Sequence, residues 1–338
     1  MRIFVKPDEP ILGSLGYEEQ ERGSKFVYRD LFFYVIFSGE GDEKFTLERV
    51  KVAIREGAST VLQLTLLGSQ LLEVARKYAR LVGWDFRGLE ITKGSKVIIG
   101  INVLFECLSV DNIKVTAEVL NESGETTSSE VRTRLITYEP KTELVLPFRG
   151  AWYAIHAYDM LSSHRFSLSQ RFAVDFLKVD VHGRTFRGDG LRREDYYAFG
   201  QPILAPGDGV VIDMANDVDE NVPKKPPSEE DFRDNPYRAL GNFVLIDHEN
   251  GEYSLLAHLR KGSVRVRRGE GVKRGQLIAE CGYSGNATEP GLHYHLMAGP
   301  DPFTSPGLPC IFTRFESRVL NTKVLKGPII PRDIVSPL

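Results

Sequence analysis

Short apolar runs separated by glycine turns recur along the whole chain of 338 residues, and they restrict it to a mainly β fold. In the first half, most of these runs alternate polar and apolar residues with the period of two that a half-buried strand requires. Runs of this number and spacing predict an immunoglobulin-like β-sandwich over residues 1–150. The runs lie at 32–37, 45–54, 60–67, 96–106, 113–120 and 143–148.

One stretch of the first half has helical spacing instead. Its apolar residues recur every three or four positions, which predicts a short helix over 71–82 between strands. The first 155 residues contain no histidine, because the seven histidines of the chain begin at His156. Without a cluster of histidines and carboxylates, this accessory domain is predicted to pack against a catalytic domain, position a substrate or gate a cleft.

The second half contains a pair of histidines two residues apart, His293 and His295, in a stretch typical of a β-strand. Side chains alternate along a strand, so both imidazoles project from the same face. A third histidine, His258, lies in another apolar run at 253–259. Three imidazoles that converge on one sheet face indicate a metal site with adjacent acid–base groups. The alternative is that His293 and His295 are ordinary half-buried residues of a sheet.

The neighbours of these histidines form an ordered series of glycine-punctuated runs. They occupy 197–211, 240–248, 249–259, 264–279, 281–286 and 291–296. Together with Gln170-Arg171-Phe172-Ala173-Val174-Asp175, the series resembles the lysostaphin-type zinc endopeptidases, which cut peptide cross-bridges in bacterial cell walls. The resemblance covers roughly residues 164–315. It implies an antiparallel β-sheet peptidase domain at 151–325, followed by a C-terminal tail at 326–338.

The resemblance also implies a site of one zinc ion and two catalytic histidines. His295 and Asp175 match zinc ligands of the family, while His293 and His258 match its catalytic histidines. His293 is the expected general base and His258 is expected to stabilise the oxyanion, although these two roles are interchangeable. A catalytic zinc ion takes three protein ligands and leaves the fourth position to water. The expected substrate is a peptide, in peptidoglycan cross-bridges or stem peptides.

One position departs from the family pattern. The remaining histidine ligand usually lies four residues before the aspartate, and Arg171 occupies that place here. A guanidinium is always protonated and cannot bind zinc. We expect His164, which lies just upstream of the aspartate, to supply the ligand instead, with His182 as second choice. In the alternative interpretation, His164 only forms a hydrogen bond to a loop.

Three classes of function are consistent with these motifs. The first is a zinc metallopeptidase. The second is a catalytically inactive homologue that binds a partner or a cell-wall peptide in the same groove, an interpretation supported mainly by Arg171. The third is a carrier module, because 269–276 is similar to lipoyl- and biotinyl-type β-domains. That last interpretation leaves the paired histidines unexplained and finds no lysine at a hairpin tip.

Composition excludes other classes of partner. With 43 basic and 46 acidic residues the formal charge is −3, which gives no support for nucleic-acid binding. The sequence has no apolar run of about 20 residues that would span a membrane. Cys107, Cys281 and Cys310 are too few and too widely spaced for a disulfide framework. Nothing in the sequence indicates an oligomeric state.

Two further segments lead to expectations. A proline-rich, charged stretch at 213–240 is predicted to be an insertion loop at the surface, between two strands of the sheet. The N-terminal residues lack the apolar core of a secretory signal peptide. The family resemblance nevertheless implies a location outside the cytoplasm, so the sequence leaves the compartment open.

Overall fold

The computed structural model describes residues 1–19, 23–105, 109–157 and 163–338, and it divides into two compact units. Unit 1 contains Met1–Ser14 and Val27–Tyr138, and unit 2 contains Leu15–Phe26 and Glu139–Leu338. Both units consist mainly of antiparallel strands, which confirms the predicted mainly β fold. The domain limits at 150 and 325 stay predictions. Cys107 lies outside the described residues, and Cys281 and Cys310 are buried free thiols.

Among the described residues, unit 1 contains ten strands, except the Leu15–Phe26 part of the second and third, and one α-helix. The elements are β1 (Arg2–Lys6), β2 (Ile11–Glu19), β3 (Gly23–Ser38), β4 (Phe45–Glu56), β5 (Ser59–Leu67), α1 (Gly68–Leu81), β6 (Glu90–Ile91), β7 (Lys96–Phe105), β8 (Asn112–Asn121), β9 (Thr126–Arg134) and β10 (Ile136–Thr137).

Two sets of antiparallel strands share the core of unit 1. In the first set β3 pairs with β1 and with β7. In the second set the order is β5-β4-β8-β9, with β6 beside β4. Every second residue of β8 is buried, from Ile113 to Val119, as expected for a strand with one apolar face. These side chains form one cluster with those of β3, β4 and β7. An immunoglobulin-like connection of these strands stays a prediction.

Helix α1 was expected over 71–82 and spans Gly68–Leu81. Its buried residues Leu71, Ala75, Tyr78 and Ala79 follow the three-to-four spacing of an amphipathic helix. The ring of Tyr78 meets that of Tyr34 edge-on, with centroids 5.9 Å apart. Gly100 of β7 lies directly under the Tyr78 ring, where a β-carbon would overlap the ring atoms. The helix therefore packs on β7 through the ring of Tyr78, which lies directly against Gly100.

In the part of the chain that the structure describes, unit 2 contains thirteen further strands besides the Leu15–Phe26 part of β2 and β3. They are β11 (Trp152–His156), β12 (Val174–Leu177), β13 (Pro202–Leu204), β14 (Gly209–Ala215), β15 (Asn242–Asp247), β16 (Tyr253–Leu259), β17 (Gly271–Val272), β18 (Leu277–Glu280), β19 (Leu292–Met297), β20 (Gly307–Leu308), β21 (Ile311–Ser317), β22 (Thr322–Pro328) and β23 (Ile334–Pro337). Short 3₁₀ turns lie at Ser163–Phe166, Arg193–Asp195, Glu229–Phe232 and Pro236–Leu240.

The main sheet of unit 2 has the order β22-β21-β23-β11-β12-β19-β16-β15-β14-β17, with antiparallel pairing throughout. Strand β19 lies inside this sheet, between β12 and β16, and all six of its residues are buried. A strand covered on both faces is usually apolar, but β19 carries His293, Tyr294 and His295. Burying such polar groups costs free energy unless they find partners.

A long connection joins β14 to β15, which pair with each other. It runs from 216 to 241 and includes two of the 3₁₀ turns, in the region where the sequence predicts an insertion loop. Among the described residues, no helix is long and apolar enough to cross a membrane.

We predict that Gly100→Ala destabilises the protein by about 1–3 kcal/mol, because the added methyl group forces the Tyr78 ring out of its packed position. Urea unfolding of the whole chain measures this change. Gly41→Ala is the matched control, since nothing lies within 4 Å of its β-carbon position. Equal unfolding midpoints for the two variants would show that the ring moves aside at no cost.

Candidate functional site

The register of three neighbouring strands brings the candidate residues together. Asp175 on β12 lies directly opposite His293 on β19. On the far side of β12, a bulge in β11 places His156 opposite the same aspartate. Residues opposite each other in an antiparallel pair project from the same face. The sheet therefore places one carboxylate between two imidazoles from adjacent strands.

The carboxylate of Asp175 contacts three histidines. Its Oδ1 lies 2.8 Å from Nδ1 of His293, and its Oδ2 lies 2.6 Å from Nε2 of His164 and 3.4 Å from Nδ1 of His156. His293 extends the chain of contacts, since its Nε2 lies 2.8 Å from Nδ1 of His295. The structure thus joins four of the residues singled out from the sequence, His164, Asp175, His293 and His295, and it adds His156.

His164 reaches the aspartate from the 3₁₀ turn Ser163–Phe166. Its Nδ1 lies 3.0 Å from the amide oxygen of Gln170, an acceptor, so Nδ1 carries the hydrogen and Nε2 faces Asp175. A ring held in this way by an oxygen acceptor is the arrangement that orients metal-binding histidines. Arg171, which holds the position of the usual family ligand, is buried and lies over the ring of Phe172, 4.6 Å from its centroid.

Burial and charge set the protonation of the cluster. Burial raises the pKa of Asp175, but His164 and His293 outweigh it and bring that pKa well below its ordinary value. Burial lowers the pKa of His164, but the attraction and hydrogen bond of Asp175 reverse this, so the net shift is upward. Burial lowers the pKa of His293 and, to a greater extent, that of His295. These shifts favour an ionised carboxylate at Asp175, the protonated form of His164 and the neutral forms of His293 and His295.

His258 has an unusual backbone conformation for a strand residue, with φ of 64°. Non-glycine residues in the left-handed region store strain and concentrate at functional sites. Its Nδ1 donates to the carbonyl oxygen of Ser284 at 2.9 Å, which leaves Nε2 as a hydrogen-bond acceptor. Burial and the nearby His293 lower the pKa of His258 to about 4, so the ring is neutral near pH 7. The ring centroids of His258 and His293 are 5.8 Å apart.

The cluster opens into a cavity of about 260 Å³. His156, His164, Asp175, His258 and His293 line one part of it. The remaining wall is partly apolar and partly polar, and it consists of Ile155, Phe176, Leu177, Asn286, Ala287, Thr288, Glu289, Gly291 and Leu292.

The donor set fits a zinc ion. Ligand atoms of His156, His164 and Asp175 lie within 4.8 Å of one another. The Nε2 atom of His295 is buried without a hydrogen-bond partner among the described residues, which is costly for an imidazole unless it gains a ligand. Imidazole nitrogens and a carboxylate oxygen are preferred zinc ligands. His182, the second choice from the sequence, lies in an exposed turn, where its backbone N–H donates to Asp180.

Sequence reasoning missed His156, although a usable signal was present. His156 ends the run Trp152-Tyr153-Ala154-Ile155-His156 and alternates with the buried Trp152 and Ala154. That pattern predicts a strand with the histidine on the face of the two buried residues. It does not show that this strand is the neighbour of the one that carries Asp175. The bulge that brings the two side chains together has no sequence signal of its own.

Behind β19, a second polar chain holds the other face of the strand. The hydroxyl of Tyr294 lies 2.9 Å from Oγ of Ser254, which lies 2.7 Å from Nε2 of His248. The Nδ1 of His248 donates to the carbonyl oxygen of Asp208 at 2.6 Å, so Nε2 is the acceptor of this chain. Burial lowers the pKa of His248, more than the neighbouring oxygens raise it. Burial therefore favours the neutral form of His248.

A comparison with known protein families places one match in this region. Residues 194–304 match the family model described as Peptidase family M23, which confirms the resemblance seen in the second half of the sequence. The matched segment carries His258, His293 and His295 and begins after His164 and Asp175.

Curated relatives are similar over the same part of the chain. Peptidoglycan DD-endopeptidase ShyA of Vibrio cholerae is 34% identical over 103 residues, which is 30% of this chain and 19% of the relative. Peptidoglycan DD-endopeptidase ShyC of the same organism is 33% identical over 129 residues, 38% of this chain and 25% of the relative. The matched part of the chain thus spans a quarter or less of each of these relatives.

Among solved structures, the catalytic domain of the antimicrobial peptidase lysostaphin from Staphylococcus simulans is 16% identical. The match covers 47% of this chain and 88% of the lysostaphin domain, with a TM-score of 0.27. A score of this size is too low to support a functional comparison.

We predict that the free energy of unfolding decreases as the pH falls below 6.5, the ordinary pKa of histidine, partly because of His248. The folded state holds the pKa of His248 below that value. Between the two pKa values the unfolded chain therefore binds more protons, and acid favours unfolding. Urea unfolding at about pH 7 and about pH 5 measures the effect.

The variant His248→Gln should lose part of this pH dependence, whereas His182→Gln, at an exposed position, should keep it. An unchanged pH dependence in His248→Gln would mean that His248 titrates alike in the folded and unfolded chains.

Proposed function

We propose that this chain, which carries a domain of peptidase family M23 at residues 194–304, is a zinc-dependent endopeptidase that cleaves peptide bonds in peptidoglycan. The observation that carries the proposal is the carboxylate of Asp175, shared between His164 and His293 at the wall of a cavity that His258 also lines. The peptidoglycan substrate is suggested by the names of the relatives.

His164, Asp175 and His295 are the proposed zinc ligands. His164 presents Nε2 to Asp175, and His295 has a buried nitrogen without a partner among the described residues. His156 lies close enough to both His164 and Asp175 to belong to the same set. When bound, zinc would lower the pKa of a water molecule to about 7 and polarise the carbonyl group of the substrate.

His258 and His293 are the proposed catalytic residues. The sequence analysis expects His293 to be the general base and His258 to stabilise the oxyanion. The tautomer of His258 supports the exchange of these two roles. Because its Nδ1–H is engaged by Ser284, the neutral ring offers Nε2 as a proton acceptor. His258 would accept a proton from the attacking water and return it to the amine that leaves. In this exchanged form His293, oriented by Asp175, would stabilise the carbonyl oxygen on which negative charge develops, which requires a hydrogen on its Nε2 in place of the contact with His295.

We predict about one zinc ion per wild-type chain. The variants His164→Ala, Asp175→Asn and His295→Ala should each lose it, because each removes a proposed ligand. His182→Ala is the control and should keep it. Elemental analysis after dialysis against a zinc buffer measures the stoichiometry.

The variant His156→Ala tests whether His156 is a zinc ligand. Zinc loss in this variant together with zinc retention in His295→Ala would replace His295 by His156 in the ligand set. Full zinc content in His164→Ala would contradict the assignment of His164. A wild-type chain that binds no zinc at all would favour the inactive homologue.

We predict that His258→Ala and His293→Ala keep zinc and lower kcat by about 10²–10⁴-fold, the usual effect of removing a positioned acid–base group. Release of soluble peptides from purified peptidoglycan, followed by chromatography, measures turnover. His182→Ala serves again as the control and should retain wild-type turnover. Wild-type turnover in His293→Ala would remove that residue from the mechanism.

A further inference from the structure

The cavity next to the histidine cluster has a second carboxylate in its wall. Glu289 is half-buried, and its Oε2 accepts a hydrogen bond of 2.6 Å from the hydroxyl of Thr185. Its other oxygen, Oε1, makes no hydrogen bond to any residue in the part of the chain that the structure describes. Within the same ranges, Glu289 forms no ion pair, so one side of this carboxylate is available to a ligand.

The two carboxylates of the cavity differ in how their charge is compensated. Asp175 contacts His164, His293 and His156 through its two oxygens. Glu289 has one neutral hydroxyl as its only partner among the described residues. No lysine or arginine belongs to the described residues that line the cavity. Among the described residues, Glu289 therefore has no cationic side chain in contact with it.

Hydrogen bonds to the backbone hold the segment that carries Glu289. The amide of Asn221 donates to the carbonyl oxygens of Gly285 and Ala287, at 2.8 and 3.3 Å. The hydroxyl of Tyr283 donates to the carbonyl oxygen of Thr288 at 2.8 Å. Burial raises the pKa of Tyr283 to about 12, and the charge of Glu289 adds to this effect, so the hydroxyl remains a donor. The carboxylate thus projects from a preorganised backbone.

A fixed carboxylate without a cationic partner of its own, in a partly closed site, favours cations. Water is partly excluded from such a site, so a charge-assisted hydrogen bond there is stronger than in bulk solvent. Ammonium groups, on side chains and at N-termini, are among the cations that peptides carry. A neutral amide in the same position would leave the carboxylate without a counter-charge.

We propose that Glu289 is a specificity-determining residue that binds an ammonium group of the substrate, so that the cavity selects peptides with a free amine near the scissile bond. The inference rests on the proposed function for its substrate, but recognition of the amine itself does not require turnover. Thr185 is a positioning residue in this scheme, because its hydroxyl fixes one oxygen of Glu289 and leaves the other for the ammonium group.

The experiment compares cross-linked peptidoglycan peptides before and after acetylation of their free amines with acetic anhydride. Hydrolysis by the zinc-loaded chain gives kcat/KM for both forms. Calorimetry with the His293→Ala variant gives the affinity of both forms without turnover. We expect the amine form to be preferred about tenfold in both measurements, the size of one charge-assisted hydrogen bond.

Three substitutions test the role of Glu289. Glu289→Gln should remove most of the preference while preserving the volume of the side chain, and Thr185→Val should reduce it by a smaller factor. Glu122→Gln, at an exposed glutamate in the turn between β8 and β9, is the matched control and should preserve it. Circular dichroism checks that each variant is folded. If Glu289→Gln is not folded, Thr185→Val alone carries the test.

The outcomes separate the two proposals. Equal affinity for both peptide forms, or a full preference retained in Glu289→Gln, would overturn the role of Glu289 even if hydrolysis is efficient. A preference for the amine form in binding without any hydrolysis would support Glu289 and overturn the proposed peptidase function. Failure to bind either form would overturn the role of Glu289.

Discussion

The interaction on which the site depends is the carboxylate of Asp175 in the middle of a sheet. An ionised carboxylate is costly to bury unless hydrogen bonds and opposite charge compensate it. His164 and His293 provide this compensation at 2.6 and 2.8 Å, and their combined effect keeps the pKa of Asp175 well below its ordinary value. The register of β12 against β19 therefore determines whether Asp175 can contact His293. A shift of one residue would turn Asp175 to the opposite face of the sheet.

Polar side chains on both faces of strand β19 make hydrogen-bond contacts with other strands or turns. On one face His293 and His295 belong to the histidine cluster, and on the other face Tyr294 enters the chain that ends at His248. Buried networks of this kind stabilise a unique arrangement only when every member is satisfied. The one ring nitrogen of β19 without a partner among the described residues is Nε2 of His295, whose Nδ1 contacts His293. The unsatisfied group thus belongs to the strand face that carries the histidine cluster.

Local patterns predicted much of this arrangement, and long-range pairing decided the rest. The period of two along 291–296 correctly placed His293 and His295 on one face, and helical spacing correctly placed α1. Proximity of His164 to Asp175 followed from their closeness in sequence. The contribution of His156 depends on a bulge between β11 and β12, which has no sequence signal. Glu289 lies in a loop segment without a periodic pattern, so only the fold shows that it lines the cavity.

With Arg171 at the position that the family pattern gives to a histidine, the proposed site depends on His164 instead. A histidine at position 171 would belong to the segment that leads directly into β12, whereas His164 lies in a separate 3₁₀ turn. Its orientation is set by Gln170, whose amide oxygen accepts from Nδ1, and by the backbone hydrogen bond from Ser167 to the carbonyl oxygen of His164. As the proposed zinc ligand, His164 on this turn would have fewer constraints than a ligand fixed by strand pairing, and Gln170 would take over the orienting role of the sheet. The neighbouring Arg171 lies over the ring of Phe172, 4.6 Å from its centroid.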